Sequence, residues 1–222
     1  MTKATESETG SSWMPAVIAV IVLLLMAGFI ACGFATWVLF NKRTEFAART
    51  LRDGLLPDLQ QTQLSANEKE AITRLLRDVV ERLQDGSLDN RQATGIMQRL
   101  VQLPLLAWGD LDALGAMIAQ RGWTDGERAA AARALRRIKR AVELGKIQAS
   151  DVERVLEPVT VPAAGRLSRK LDLTADDLRI RECLERATQL ADQEQIPDVE
   201  ASIELSTLVQ RAIEDGEMRG PS

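Results

Sequence analysis

Few residues of this chain have types and spacings that could do chemistry. The most conspicuous are Arg133, Arg136, Arg137 and Arg140, which fall within about 100° of one another on a helix, opposite Ala131, Leu135, Ile138 and Val142. Three uses fit such a stripe. It can be a solvated face pairing loosely with acidic residues of the same chain, a contact for anionic lipid or an acidic protein, or a contact for nucleic acid. The thiols are Cys32 and Cys183 alone, too few for a disulfide framework or a four-thiolate zinc site, and no His occurs anywhere. A His base, a His-containing triad and a His metal site are therefore excluded. The chain has no Gly-rich phosphate loop, no Gly-x-Ser-x-Gly elbow and no cluster of metal ligands. The carboxylate pair Asp176-Asp177 stands at a helix start, where capping and the helix dipole account for it. No cofactor, metal or small-molecule substrate is evident, and an enzyme is not expected.

The elements that must carry these residues begin with a membrane anchor. From Met14 to Phe40 the chain has 27 residues without a charge, roughly 40 Å as a helix against a hydrocarbon core of about 30 Å. Trp13, Trp37 and Phe40 stand at its ends as interfacial anchors. The run is too long, and its N-terminal flank too acidic, for a cleaved signal peptide. Phe29-Ile30-Ala31-Cys32 resembles a lipoprotein processing box, but Phe stands where Leu is usual and eight further uncharged residues follow, so Cys32 reads as a residue of the span. Lys3 alone precedes the span, whereas Lys42, Arg43, Arg49 and Arg52 follow it. The expected topology is a single pass through the plasma or inner membrane, N-terminus outside and the following domain cytoplasmic. Ala27, Gly28, Ala31, Cys32 and Ala35 make a small-residue stripe suited to close helix packing in the bilayer.

Beyond the anchor, helical periodicity prevails and no segment alternates as a strand. The expected class is all-α, a transmembrane helix followed by a bundle of helical hairpins. Six of the eight aromatics lie in or beside the apolar run, so the remaining core must be built from Leu, Val, Ile and Ala. The expected layout is an extracytoplasmic tail over 1–13, the span over 14–40 and a juxtamembrane helix over 41–62 that Gly54 and Pro57 interrupt. A helical domain over 63–157 follows, then a Pro/Gly/basic hinge over 158–173, a C-terminal helical hairpin over 174–215 and a frayed tail over 216–222. Ser65 with Glu68, Thr124 with Glu127, and Ser150 with Glu153 read as capping boxes. The phrases "ERLQDGSL", "RAVELGKI" and "RAIEDGEM" each end a helix, place a Gly two residues later and an apolar residue two beyond that. They read as helix stops at Gly86, Gly145 and Gly216. Cys183, on the apolar side of its helix with Ile180, Leu184, Ala187 and Leu190, reads as a buried structural thiol.

The net charge of −4 hides a strong asymmetry: residues 42–120 carry −1, 121–170 carry +6 and 171–222 carry −8. An acidic chain without a reader motif makes nucleic acid an unfavoured partner. The reading that follows is a membrane-anchored helical module for protein interaction or assembly, with the bilayer and a protein partner or second copy as its contacts. A regulator that binds anionic lipid or nucleic acid through the basic face of helix 125–144 is the alternative, and an enzyme of unrecognised type the second.

Overall fold

The computed structural model describes residues 24–26, 28, 29, 43–162, 169–199 and 203–221, and the chain divides into two units, Met1–Lys42 and Arg43–Ser222. In the first unit, Leu24, Leu25, Met26, Gly28 and Phe29 are helical and exposed. Among the described residues no helix is long and apolar enough to cross a membrane, and the expected span over 14–40 lies almost wholly outside them. Within the packing stripe, Ala27, Ala31, Cys32 and Ala35 also lie outside the described residues.

The second unit is mostly helical. Helices α1 (Arg43–Arg49) and α2 (Leu56–Gln60) run on through a π-helical turn at Thr50–Leu55. They are followed by α3 (Ala66–Gln84), α4 (Asn90–Gln102), α5 (Trp108–Ala119), α6 (Asp125–Glu143) and α7 (Ala149–Leu156). A short 3-10 turn leads to strands β1 (Thr160–Pro162) and β2 (Arg169–Leu171), and α8 (Asp177–Gln193) and α9 (Leu205–Arg219) complete the unit. Gly54 and Pro57 do not break the juxtamembrane helix as expected. Pro57 has no N–H for the carbonyl four residues back, and the widened turn just before it bonds the Leu56 N–H to the Leu51 carbonyl, five residues back.

Two packing neighbourhoods share one compact unit. In the first, α9 lies along α4 and α3, with α1 against the same two helices. In the second, α6 packs between α5 and α8, and α8 also meets α7 and the 3-10 turn. Apolar faces are the buried ones: Ile72, Leu76, Val79 and Leu83 on α3, Ala131, Leu135, Ile138 and Val142 on α6, and Ile180, Cys183 and Ala187 on α8, beside half-buried Leu184 and Leu190. Burial pushes the Cys183 thiol up to about 12, so it is an inert packing residue.

Several sequence expectations are corrected here. Within the stretch read as a hinge, Thr160 pairs with Leu171 and Pro162 with Arg169 in an antiparallel ladder. Val159, Thr160, Leu171 and Ala175 around it are buried. Three-residue strands give periodicity no length in which to appear. The residues from 174 onward do not form a hairpin, because α8 packs on α6 while α9 returns to α4. The last helix begins at Leu205.

Gly86 (φ 79°) and Gly145 (φ 67°) stop their helices as expected, and Leu88 and Ile147 fold back into the core. Gly216 does not: α9 continues through it to Arg219, and Gly220 (φ 68°) follows as the cap. The third stop of this kind sits instead at Gln195 (φ 53°), after which the Ile196 N–H returns to the Ala191 carbonyl at 2.8 Å. Residues 216–221 are held rather than frayed. Arg82 pairs with Glu217 at 2.8 Å, and Arg99 donates to the Gly220 carbonyl at 2.7 Å.

Candidate functional site

An apolar groove opens where the first helical segment meets α4 and α7. One wall is the π turn and the start of α2, with Leu51, Gly54, Leu55 and Asp58. Met97, Leu100 and Val101 of α4 form the other, the connection Leu103–Ala107 makes the end, and Ala149 and Glu153 of α7 close the rim. Each wall has a local cause. The π turn widens the helix ahead of Pro57, and α4 stops at Gln102 because Pro104 cannot continue it. The connection then turns tightly, with the Ala107 and Trp108 N–H groups both reaching the Pro104 carbonyl. The resulting cavity is about 250 Å³.

The floor is apolar and the rim carries acidic residues. Leu51, Leu100 and Leu105 are buried at the bottom, whereas Val101 is 71 % exposed at the edge. Among the described residues no Lys or Arg lines the groove, and the two charged ones that do are Asp58 and Glu153. Among the described residues neither carboxylate has an ion-pair partner.

Glu153 is available because the expected cap of α7 is displaced. Helix α7 starts at Ala149, and Asp151, not Glu153, accepts from the Gln148 N–H at 3.0 Å. Ser150 lies inside the helix. The box at Ser65 is also half made: Ser65 accepts from the Glu68 N–H at 3.3 Å, but the Glu68 carboxylate turns away to accept from the Leu205 N–H at 2.7 Å, capping α9. Only the Thr124 and Glu127 box closes both ways among the three that were expected.

The arginine face turns toward its own chain. Arg133 and Arg136 meet the two oxygens of Asp198 at 2.8 and 3.2 Å. Arg137 bonds Asp192 at 2.7 Å and the Ile196 carbonyl at 2.9 Å. Arg140 pairs with Glu143 one turn on. Three of the four therefore clamp the acidic segment after α8, Arg137 most tightly with its side chain only 15 % exposed. Charge count along the chain foreshadows this pairing; which carboxylates are met depends on how α8 lies against α6.

A further polar knot joins α6 to α8. The Trp123 indole N–H donates to Asp177 at 3.1 Å, Arg121 pairs with Asp177 at 2.8 Å, and the Arg181 guanidinium lies 4.6 Å from the Trp123 ring centre. Arg181 also pairs with Glu127 at 2.7 Å. Bonds from the Thr124 backbone and from the Arg181 and Thr124 side chains lower Glu127 to about 2. Nearby, bonds from the Thr174 hydroxyl, Arg179 and the Thr174 backbone lower Asp172 to about 2. These are structural ion pairs that fasten helix starts. Asp176 caps α8 by accepting from the Arg179 N–H at 2.9 Å, as its position in the sequence suggested.

Among the described residues, no group of three or more His, Cys, Asp or Glu is placed to hold a metal ion. The groove escaped sequence reasoning because its lining comes from three separate stretches. Its one local signal was Pro57 inside an otherwise helical pattern. No family model matches the chain, and no curated protein or solved structure matches it either.

Proposed function

We propose that this chain is a single-pass membrane protein whose helical unit serves as a protein-interaction module beside the cytoplasmic face of the bilayer. The observation that carries the reading is the apolar groove of about 250 Å³ between the π turn, α4 and α7. A groove walled by aliphatic side chains and rimmed by acid suits the apolar face of another helix. The uncharged run over 14–40 and the basic residues just after it support the anchor and its orientation.

The alternative, binding of anionic lipid or nucleic acid through Arg133, Arg136, Arg137 and Arg140, has less support, because Asp192, Asp198 and Glu143 already occupy those guanidinium groups. The test is amine crosslinking of the full chain in native membranes, compared with V101K, alongside protease protection of a C-terminal tag. A discrete adduct that disappears in V101K, with the tag protected in right-side-out vesicles, is the expected result. An adduct pattern indifferent to V101K, or a digested tag, would overturn the interaction reading or the orientation respectively.

A further inference from the structure

We propose that the groove receives an amphipathic helix of a partner protein, and that this helix carries Lys or Arg beside its apolar anchors. This inference rests on the interaction reading above and specifies the partner's chemistry. Charge complementarity argues for it. Among the described residues, Asp58 and Glu153 flank the groove, no Lys or Arg lines it, and neither carboxylate is paired. Two acids close to them in sequence are paired instead: Asp53 with Arg52 at 2.9 Å and Asp151 with Arg154 at 3.3 Å. Two carboxylates without an ion pair among the described residues, beside exposed apolar surface, attract a cation and repel anionic lipid headgroups.

Size points the same way. At about 250 Å³ the groove falls below the roughly 300–1,000 Å³ usual for small-molecule sites. It holds a few aliphatic side chains, as a docked helix supplies at i, i+3 or i+4, and i+7. Met97, with its flexible thioether, and the exposed Val101 give the α4 wall an adaptable surface. The π turn opposite is the kind of helical irregularity that recurs at functional sites.

The experiment is a selection from a displayed library of helical peptides, with Leu fixed at three positions spaced i, i+4, i+7 and the flanks randomised. The bait is the detergent-solubilised full chain, with V101K as counter-selection. Val101 is largely exposed, so V101K is expected to keep the wild-type melting temperature, which a thermal melt of both proteins checks. The expected result is enrichment of Lys or Arg in the flanks. A synthesised winner should lose about tenfold or more in affinity toward D58N/E153Q and toward V101K, weaken with salt, and give way to Asp- or Glu-flanked winners on D58K/E153K.

Winners indifferent to flank charge would overturn the basic partner while leaving helix docking intact. No enrichment over V101K would overturn this proposal, and with it the interaction reading if membrane crosslinking were also indifferent to V101K. Binding of a fluorescent C16 fatty acid that V101K abolishes, without peptide enrichment, would make the groove a lipid site instead. Concentration-dependent self-association that V101K abolishes would assign it to a second copy of this chain, and either outcome would overturn the proposal.

Discussion

Gly95 of α4 and Gly216 of α9 meet where the two helices cross, so closely that a Cβ built on Gly95 would stand 2.6 Å from the Gly216 carbonyl oxygen. A Cβ on Gly216 would in turn lie 2.6 Å from the Ile96 Cα. Backbone meets backbone, and this contact brings the C-terminal helix back to the start of the unit. It also explains why Gly216 is helical and not a stop: its missing side chain serves close approach, not a left-handed turn. G95A and G216A are each expected to destabilise by about 1–3 kcal/mol, lowering Tm by roughly 2–4 °C per kcal/mol in a unit of this size. Gly126, exposed in the first turn of α6 with nothing near its Cβ position, is the control. G126A should leave stability unchanged or raise it by up to about 1 kcal/mol, as calorimetry would register.

Gln195 adopts a left-handed conformation, φ 53°, at a stop that elsewhere uses glycine. Replacing it with glycine removes a cost of roughly 1 kcal/mol for a side chain in that region. Q195G is therefore expected to stabilise the protein by about 0.5–1 kcal/mol in urea unfolding. A loss would show that the Gln195 side chain contributes more than its backbone strain costs.

The arginine face makes a graded prediction. Arg137 is mostly buried and holds both Asp192 and the Ile196 carbonyl, whereas the Arg133 side chain is 59 % exposed. R137A should cost about 1–3 kcal/mol, because it abandons a carboxylate and a carbonyl together. R133A should cost less than about 1 kcal/mol. Hydrogen exchange at residues 192–199 should accelerate in R137A and stay near wild type in R133A.

At the α6 to α8 knot, D177A leaves the Trp123 indole N–H, on a residue only 6 % exposed, without its acceptor. The expected loss is about 1–3 kcal/mol, with a shift in tryptophan emission that reports the altered indole environment. D177N retains an acceptor and should recover part of the loss.

Acid stability follows from Glu127 and Asp172, each lowered in the fold to about 2 from ordinary values of 4.5 and 3.8. A carboxylate whose folded value is depressed contributes stability that is complete above its unfolded value and lost as pH falls through the folded one. Stability should therefore decline between about pH 4.5 and 2. E127Q should flatten part of that slope while lowering stability at neutral pH, as measured by urea midpoints across the range.

How much of this was legible in the sequence depends on whether the physics is local. The apolar faces of α3, α6 and α8, the Thr124 and Glu127 cap, and the stops at Gly86 and Gly145 all follow from neighbours within one or two turns. The uncharged run over 14–40 and the basic stripe of α6 are equally local patterns. Tertiary structure decided what those patterns meet. It sends the Glu68 carboxylate to the start of α9, turns the arginines onto Asp192 and Asp198, and makes Gly216 a crossing point with Gly95. It also assembles the groove from residues 50–58, 97–107 and 149–153 and sets Asp58 and Glu153 at its rim. Periodicity and capping reflect interactions a few residues apart, whereas a helix crossing and a groove exist only once distant faces have chosen partners to bury against.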